Sequence, residues 1–285
     1  MKKVKLFFGI LIGLMIFSSC SSDDDSITQK NNKSLLKMKI TTFKDNGEIE
    51  SFATRVYEKN KPKTDSFYNK NNELTNYFNW TYDNGKFSSL KGFSSDNNLT
   101  YETSIKYDDT QRIINRTTIN NNNISIINYT YNSDNTITSI NEFNNINSTT
   151  TFFINNSGLI YKEVGVNGLK EVVYDSDNNV VSITENSIIT NLTYDDINLP
   201  PENFPLNENF MFGSHKNNYI LYQNSLGSAL INEASTNPKF LITIEKDSDI
   251  SITDWILNDE NFPVNRKYYS QNRLLINYDY VYEWK

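Results

Sequence analysis

One thiol and one imidazole bound the chemistry open to this chain. Cys20 is its only cysteine and His215 its only histidine. A zinc site built from the usual sulfur and imidazole ligands is therefore out of reach, and no intramolecular disulfide can form. A serine nucleophile would have to be activated by His215, yet no Gly-x-Ser-x-Gly turn surrounds any serine. Ser214-His215-Lys216-Asn217-Asn218 reads instead as a polar loop. Glycoside hydrolysis needs only two carboxylates, and Asp108, Asp109, Asp195 and Asp196 supply acids. Their places in the sequence read as turns, where a carboxylate caps backbone N–H groups. Asp175-Ser176-Asp177-Asn178-Asn179 begins like a calcium loop but lacks the later glycine and the twelfth-position glutamate. No glycine-rich phosphate cradle is present. The expectation is a non-enzymatic protein with no cofactor and no metal. A glycan hydrolase using paired carboxylates is the alternative.

The place of Cys20 in the chain gives its thiol a use. Residues 1–5 are basic, and residues 6–17 form an apolar run. As a helix that run would span about 18 Å, short of a bilayer core of about 30 Å. It reads as the apolar stretch of an export signal and not as a membrane span. Phe17-Ser18-Ser19-Cys20 follows directly. This arrangement resembles the lipobox of bacterial lipoproteins. The resemblance implies that residues 1–19 are removed, that the Cys20 sulfur is alkylated with diacylglycerol, and that the new amine is acylated. Two or more acyl chains hold a protein stably, at about 0.8 kcal/mol per buried methylene. The bilayer would then be a partner through acylated Cys20, with lipid as the anchor. Ser21, Ser22, Asp23, Asp24 and Asp25 come next. They resemble the acidic export signal that places some Gram-negative lipoproteins on the exterior of the outer membrane. Asp25-Ser26-Ile27 also resembles an O-glycosylation acceptor of such bacteria. In any case residues 20–34 read as a solvated tether.

The formal charge is −7, and losing the leader's three lysines brings it to −10. That excess argues against nucleic acid as a partner and against electrostatic docking on anionic lipid. Aromatics make up 13% of the chain, with 18 Tyr and 17 Phe, while Gly and Pro are few. This composition favours strands over helices.

A repeat organises those aromatics. Phe43, Tyr68, Tyr82, Tyr107, Tyr131, Ile154, Tyr174 and Tyr194 recur at spacings of 25, 14, 25, 24, 23, 20 and 20 residues. Each of the first seven precedes a polar turn and then a second apolar residue, as Tyr131 precedes Ile137 and Tyr174 precedes Val180. Asp45-Asn46-Gly47, Asp83-Asn84-Gly85 and Asn156-Ser157-Gly158 are hairpin turns, because Asn and Gly accept positive φ at little cost. Trp80 with Tyr82, Ile127 with Tyr129 and Tyr131, and Val172 with Tyr174 alternate at period two. That is the mark of half-buried antiparallel strands. Trp80-Thr81-Tyr82-Asp83-Asn84-Gly85-Lys86, Ile105-Lys106-Tyr107-Asp108-Asp109, Val173-Tyr174-Asp175-Ser176-Asp177 and Thr193-Tyr194-Asp195-Asp196 resemble the YD-repeat (Rhs-like) family. With the lipobox, the chain is similar to outer-membrane lipoproteins of the domain-of-unknown-function type. Most copies lack the Gly-Arg that follows the turn in strict YD repeats, and the copies are too few to form a cocoon.

The expected architecture is all-β: a long antiparallel meander of repeated β-hairpins, curled or capped by a C-terminal β-rich region. Its parts are a signal peptide at 1–19, a lipidated tether at 20–34, the repeat array at 35–196 and a β-rich extension or cap at 197–285. Within the last part, residues 197–209 read as a crossover and 219–234 as a stretch able to form a helix. Residues 239–246 and 274–284 read as strands, with a repeat-type strand and turn at 255–263. The expected function is a lipid-anchored, surface-exposed binding or scaffold lipoprotein, with a glycan or protein ligand met through exposed aromatics. A periplasm-facing structural lipoprotein is a further alternative.

Overall fold

The computed structural model describes residues 34–121, 123–166, 168–198, 217, 239–246, 249–271 and 273–285. The leader, Cys20, Ser21 to Asp25, the Asp25-Ser26-Ile27 match, His215 and the possible helix at 219–234 lie outside the described residues.

Among the described residues, eighteen strands run in chain order. They are β1 (Leu35–Phe43), β2 (Ile49–Glu58), β3 (Lys61–Asn69), β4 (Leu74–Asp83), β5 (Lys86–Ser94), β6 (Leu99–Tyr107), β7 (Ile113–Asn120), β8 (Asn123–Tyr131) and β9 (Thr136–Phe143). There follow β10 (Ile146–Ile154), β11 (Ile160–Gly165), β12 (Gly168–Tyr174), β13 (Val180–Glu185), β14 (Ile188–Asn198), β15 (Lys239–Lys246), β16 (Asp249–Leu257), β17 (Pro263–Ser270) and β18 (Arg273–Trp284). Each strand pairs antiparallel with the next, and β1 pairs with β18. The meander expected from the sequence therefore closes into one up-and-down barrel. The C-terminal strands extend the same sheet and complete it.

Closure leaves two rims. The terminal rim carries Ser34, Lys285 and the turns after even-numbered strands, and the far rim carries the turns after odd-numbered strands. Six anchors, Tyr82, Tyr107, Tyr131, Ile154, Tyr174 and Tyr194, end even strands and pack on the main core. Phe43 and Tyr68 end odd strands, at the opposite rim. The 14-residue step from Tyr68 to Tyr82 is thus one strand, not one hairpin.

Alternation sorts the side chains. Phe87, Ile113, Ile127, Ile137, Phe152 and Ile160 face inward and are essentially unexposed. The cross-strand register puts Lys91 opposite Glu102, and Lys162 opposite Glu171, on the outward side. A second core of Leu35, Met38, Tyr57 and Tyr280 sits at the β1–β18 closure. Each buried aliphatic side chain contributes about 1.5–3 kcal/mol, so the inward face holds the sheet together.

The repeated tyrosines do more than fill the core. The Tyr107 hydroxyl donates to the Phe87 carbonyl at 2.8 Å, Tyr131 to Ile113 at 2.9 Å, and Tyr174 to Ile160 at 2.6 Å. Tyr194 donates to Val180 at 2.7 Å and Tyr282 to Pro263 at 2.6 Å. Each bond ties the end of an even strand to the start of the strand before it. In β16 the indole Nε1 of Trp255 takes this part, donating to Leu241 at 3.1 Å. The repeat thus continues beyond the Tyr194 copy that ends its sequence signature.

Candidate functional site

Of the acids that suggested chemistry, Asp108 is used by its own turn, while Asp195 and Asp196 lie within β14. Asp108 Oδ1 accepts the N–H groups of Thr110 at 3.0 Å and Arg112 at 2.9 Å. Its Oδ2 accepts Arg112 Nε at 2.7 Å. Burial would raise the Asp108 carboxyl, but the hydrogen bonds from Arg112 and Thr110 outweigh it and hold the group below the usual range. Asp175 Oδ1 accepts Asp177 N at 2.9 Å and Asn179 N at 2.8 Å. Asp195 accepts Ile197 N at 3.0 Å. Among the described residues, no cluster of three or more His, Cys, Asp or Glu is placed to hold a metal ion.

Polar chemistry also enters the barrel interior, on strands whose pattern is otherwise apolar. Asp65 is buried and paired with Arg55 through two bonds, at 2.6 Å and 2.8 Å. Trp80 Nε1 donates to the same carboxylate at 3.0 Å, and the Arg55 guanidinium lies 5.4 Å from the Trp80 ring centre. A buried pair with this many donors is satisfied and acts as a brace. Lys170 is likewise matched, by Glu185 at 3.3 Å.

Arg266 stands differently. It lies on β17, opposite Trp255 on one side and Tyr278 on the other. Its guanidinium is 5.0 Å from the Trp255 ring centre and 5.9 Å from that of Tyr278. It also hydrogen bonds Tyr280, whose phenol burial pushes above its usual range. No carboxylate lies within ion-pair distance of it among the described residues. Its Nε is buried without an acceptor. Beside it opens a cavity of about 610 Å³ lined by Ile40, Ala53, Phe67, Tyr278 and Tyr280, with Thr42, Ser51 and Asn69 toward the far rim. Sequence reading missed this site. The signal within reach is a charge at Arg266 on the same strand parity as Tyr268.

The outward face has its own aromatic row. Phe52 pairs with Tyr68, and Tyr77 with Phe93. Tyr77 and Phe93 stack at 5.0 Å with planes 14° apart. Lys39 lies 4.6 Å from the Phe52 ring centre. These half-buried rings pack across strands and still present edges to solvent.

No protein-family profile matches this chain, and no curated protein matches it. Among solved structures it is similar to a porin-like protein from Bacteroides uniformis ATCC 8492, with 10% identity and a TM-score of 0.29. That match spans 87% of this chain and 96% of the other.

Proposed function

We propose that this chain is a lipid-anchored β-barrel of a Gram-negative envelope, held by acylated Cys20, which binds or scaffolds on the cell exterior and is not an enzyme. The distribution of charge on the barrel wall carries the reading. A barrel that spans lipid turns apolar side chains outward and polar ones inward, and a Lys or Arg facing the bilayer midplane costs about 2–4 kcal/mol. On this wall ion pairs face outward, beside exposed apolar side chains such as Val173 and Val281, and the inside is apolar. Lys91 and Glu102 meet at 3.3 Å, and Lys162 and Glu171 at 3.0 Å, in mid-strand on the outside. Phe87, Ile113, Ile137 and Phe152 fill the inside. Such a wall belongs in water, so the membrane hold falls to lipid on the tether that joins the barrel at Ser34.

The aromatic row of Phe52, Tyr68, Tyr77 and Phe93 supports contact with a glycan or peptide, since rings of this kind offer stacking area at small entropic cost. Asp108, whose two oxygens are taken up by its own turn and by Arg112, supports the non-enzymatic reading over a carboxylate-pair hydrolase.

Fractionation of cells making Cys20→Ser tests the proposal. The expected variant takes up no labelled palmitate and leaves the membrane pellet for the soluble fraction. A Cys20→Ser protein that stays in the membrane through an alkaline carbonate wash would overturn the reading, because a spanning barrel needs no lipid.

A further inference from the structure

We propose that the cavity beside Arg266 is a binding site for a small ligand with an apolar body and an oxyanion, such as a carboxylate or sulfonate. The proposal rests on reading the barrel as a binding protein and names the chemistry of one ligand.

Three observations converge. The first is the cavity itself, about 610 Å³, which is the size of a small-molecule pocket. Its apolar wall is made by Ile40, Ala53 and Phe67. The second is the charge. Arginine stays protonated, and the half-buried guanidinium of Arg266 favours a counter-charge. Arg55 has Asp65 and Lys170 has Glu185, each within 3.3 Å. Arg266 has two ring faces, one tyrosine hydroxyl, and a buried Nε with no acceptor. The third is rigidity. Trp255 and Tyr278 flank the guanidinium from the two neighbouring strands, so its donor fork is held in place before a ligand arrives. An oxyanion entering the cavity would meet that fork, while its apolar body lay on Phe67 and Ile40. The lining includes one acid, Glu50, which is exposed at the mouth. It would exclude a ligand carrying a second negative group there.

The test uses the chain from residue 20 onward with Cys20→Ser, so the result does not depend on lipid. The probe is 8-anilino-1-naphthalenesulfonate, an aromatic sulfonate, with the uncharged N-phenyl-1-naphthylamine as its control. The expected result is one saturable sulfonate site per folded chain. Arg266→Met should weaken sulfonate binding by about tenfold or more, with the neutral dye little changed. Ala53→Trp, which fills the cavity and leaves the guanidinium in place, should abolish binding of both dyes and covers the case of an Arg266→Met chain that does not fold. Equal sulfonate affinity in Arg266→Met, or binding that survives Ala53→Trp, overturns the proposal. Failure here leaves palmitate labelling and fractionation unchanged, so it is distinguishable from failure of the anchored-barrel reading.

Discussion

Tyr107, Tyr131, Tyr174, Tyr194 and Tyr282 each carry two loads at once: the ring packs inward, and the hydroxyl reaches a carbonyl on the neighbouring strand. Anchor rings are also covered by cations, Lys61 over Tyr82 at 5.3 Å, Lys86 over Tyr107 at 5.1 Å and Arg112 over Tyr131 at 4.1 Å. Burial pushes the phenols of Tyr107, Tyr129, Tyr131, Tyr194 and Tyr282 well above their usual range. An unfolded tyrosine loses its proton near about pH 10, so above that pH the folded chain binds more protons than the unfolded one. Stability from these groups is therefore fully present below about pH 10 and is lost as pH rises further. Thermal midpoints followed by circular dichroism should be flat from about pH 8 to 9.5 and fall steeply beyond about pH 10. Tyr131→Phe should lower the steepness by about one proton. At neutral pH it should cost about 0.5–1.5 kcal/mol, the net worth of its bond to Ile113. A midpoint that holds steady through the alkaline range would show that these hydroxyls are not buried as described. Ile154 occupies the same place without a hydroxyl, so the ring and the bond are separable contributions.

At the scale of the element, the tyrosine and the acid or amide after it divide the work of one turn. In β6 Tyr107 closes the strand, and Asp108 then caps the five-residue turn that it opens; Tyr174 and Asp175 do the same after β12. The fourth residue of each such turn has positive φ: Gln111 at 68°, Asn178 at 64° and Asn261 at 63°. Asn178→Val should therefore destabilise by about 1–2 kcal/mol in urea unfolding, the cost of a left-handed conformation for a β-branched residue, while Asn178→Gly stays near the parent. Equal midpoints for the two variants would refute this account of the turn. Such chemistry is local, and so it was legible: Tyr107-Asp108 and Tyr174-Asp175 mark hairpins in the sequence because cap and clasp lie side by side. The rim on which an anchor lies is not local. Phe43 and Tyr68 carry the same signature as Tyr107, yet they end strands of the opposite direction. Only the 14-residue interval betrays this. Arg266 left only its shared parity with Tyr268 as a mark, since its meaning comes from Trp255 and Tyr278 on two other strands and from a cavity shared with β1 and β2.

The whole molecule depends on one pairing that no local rule foretells. Among the described residues, every other strand pairing joins neighbours in sequence, which a meander forms hairpin by hairpin. The β1–β18 ladder instead joins Lys37 to Glu283 and runs on to Phe43 and Asn277. Ser34 N donates to Lys285 O at 3.1 Å and Lys285 N to Ser34 O at 2.9 Å, so the two ends of the barrel chain are already neighbours. Leu35, Met38, Tyr57 and Tyr280 are buried only because that ladder exists. An open sheet would present β1 and β17 or β18 as bare edges, which recruit other strands. Two constructions separate the value of closure from that of chain order. Removing residues 273–285 should expose two edges and give self-associating species on size exclusion. Joining residue 285 to residue 34 through a short glycine linker, and opening the chain between Asn84 and Gly85, keeps all ladders but moves the ends. Asn84 and Gly85 both sit at positive φ in an exposed turn with no core side chain, so cutting there removes little. The permuted chain should remain monomeric and melt within about 5 °C of the parent, which for a protein of this size is a change on the order of 1–2 kcal/mol. If the truncated chain were monomeric and as stable as the parent, the seam would be an incidental contact and the barrel an open sheet. If the permuted chain failed to fold, the order of hairpin formation would matter more than the ladder. The two results together assign the stability of this fold to its closed circuit of strands.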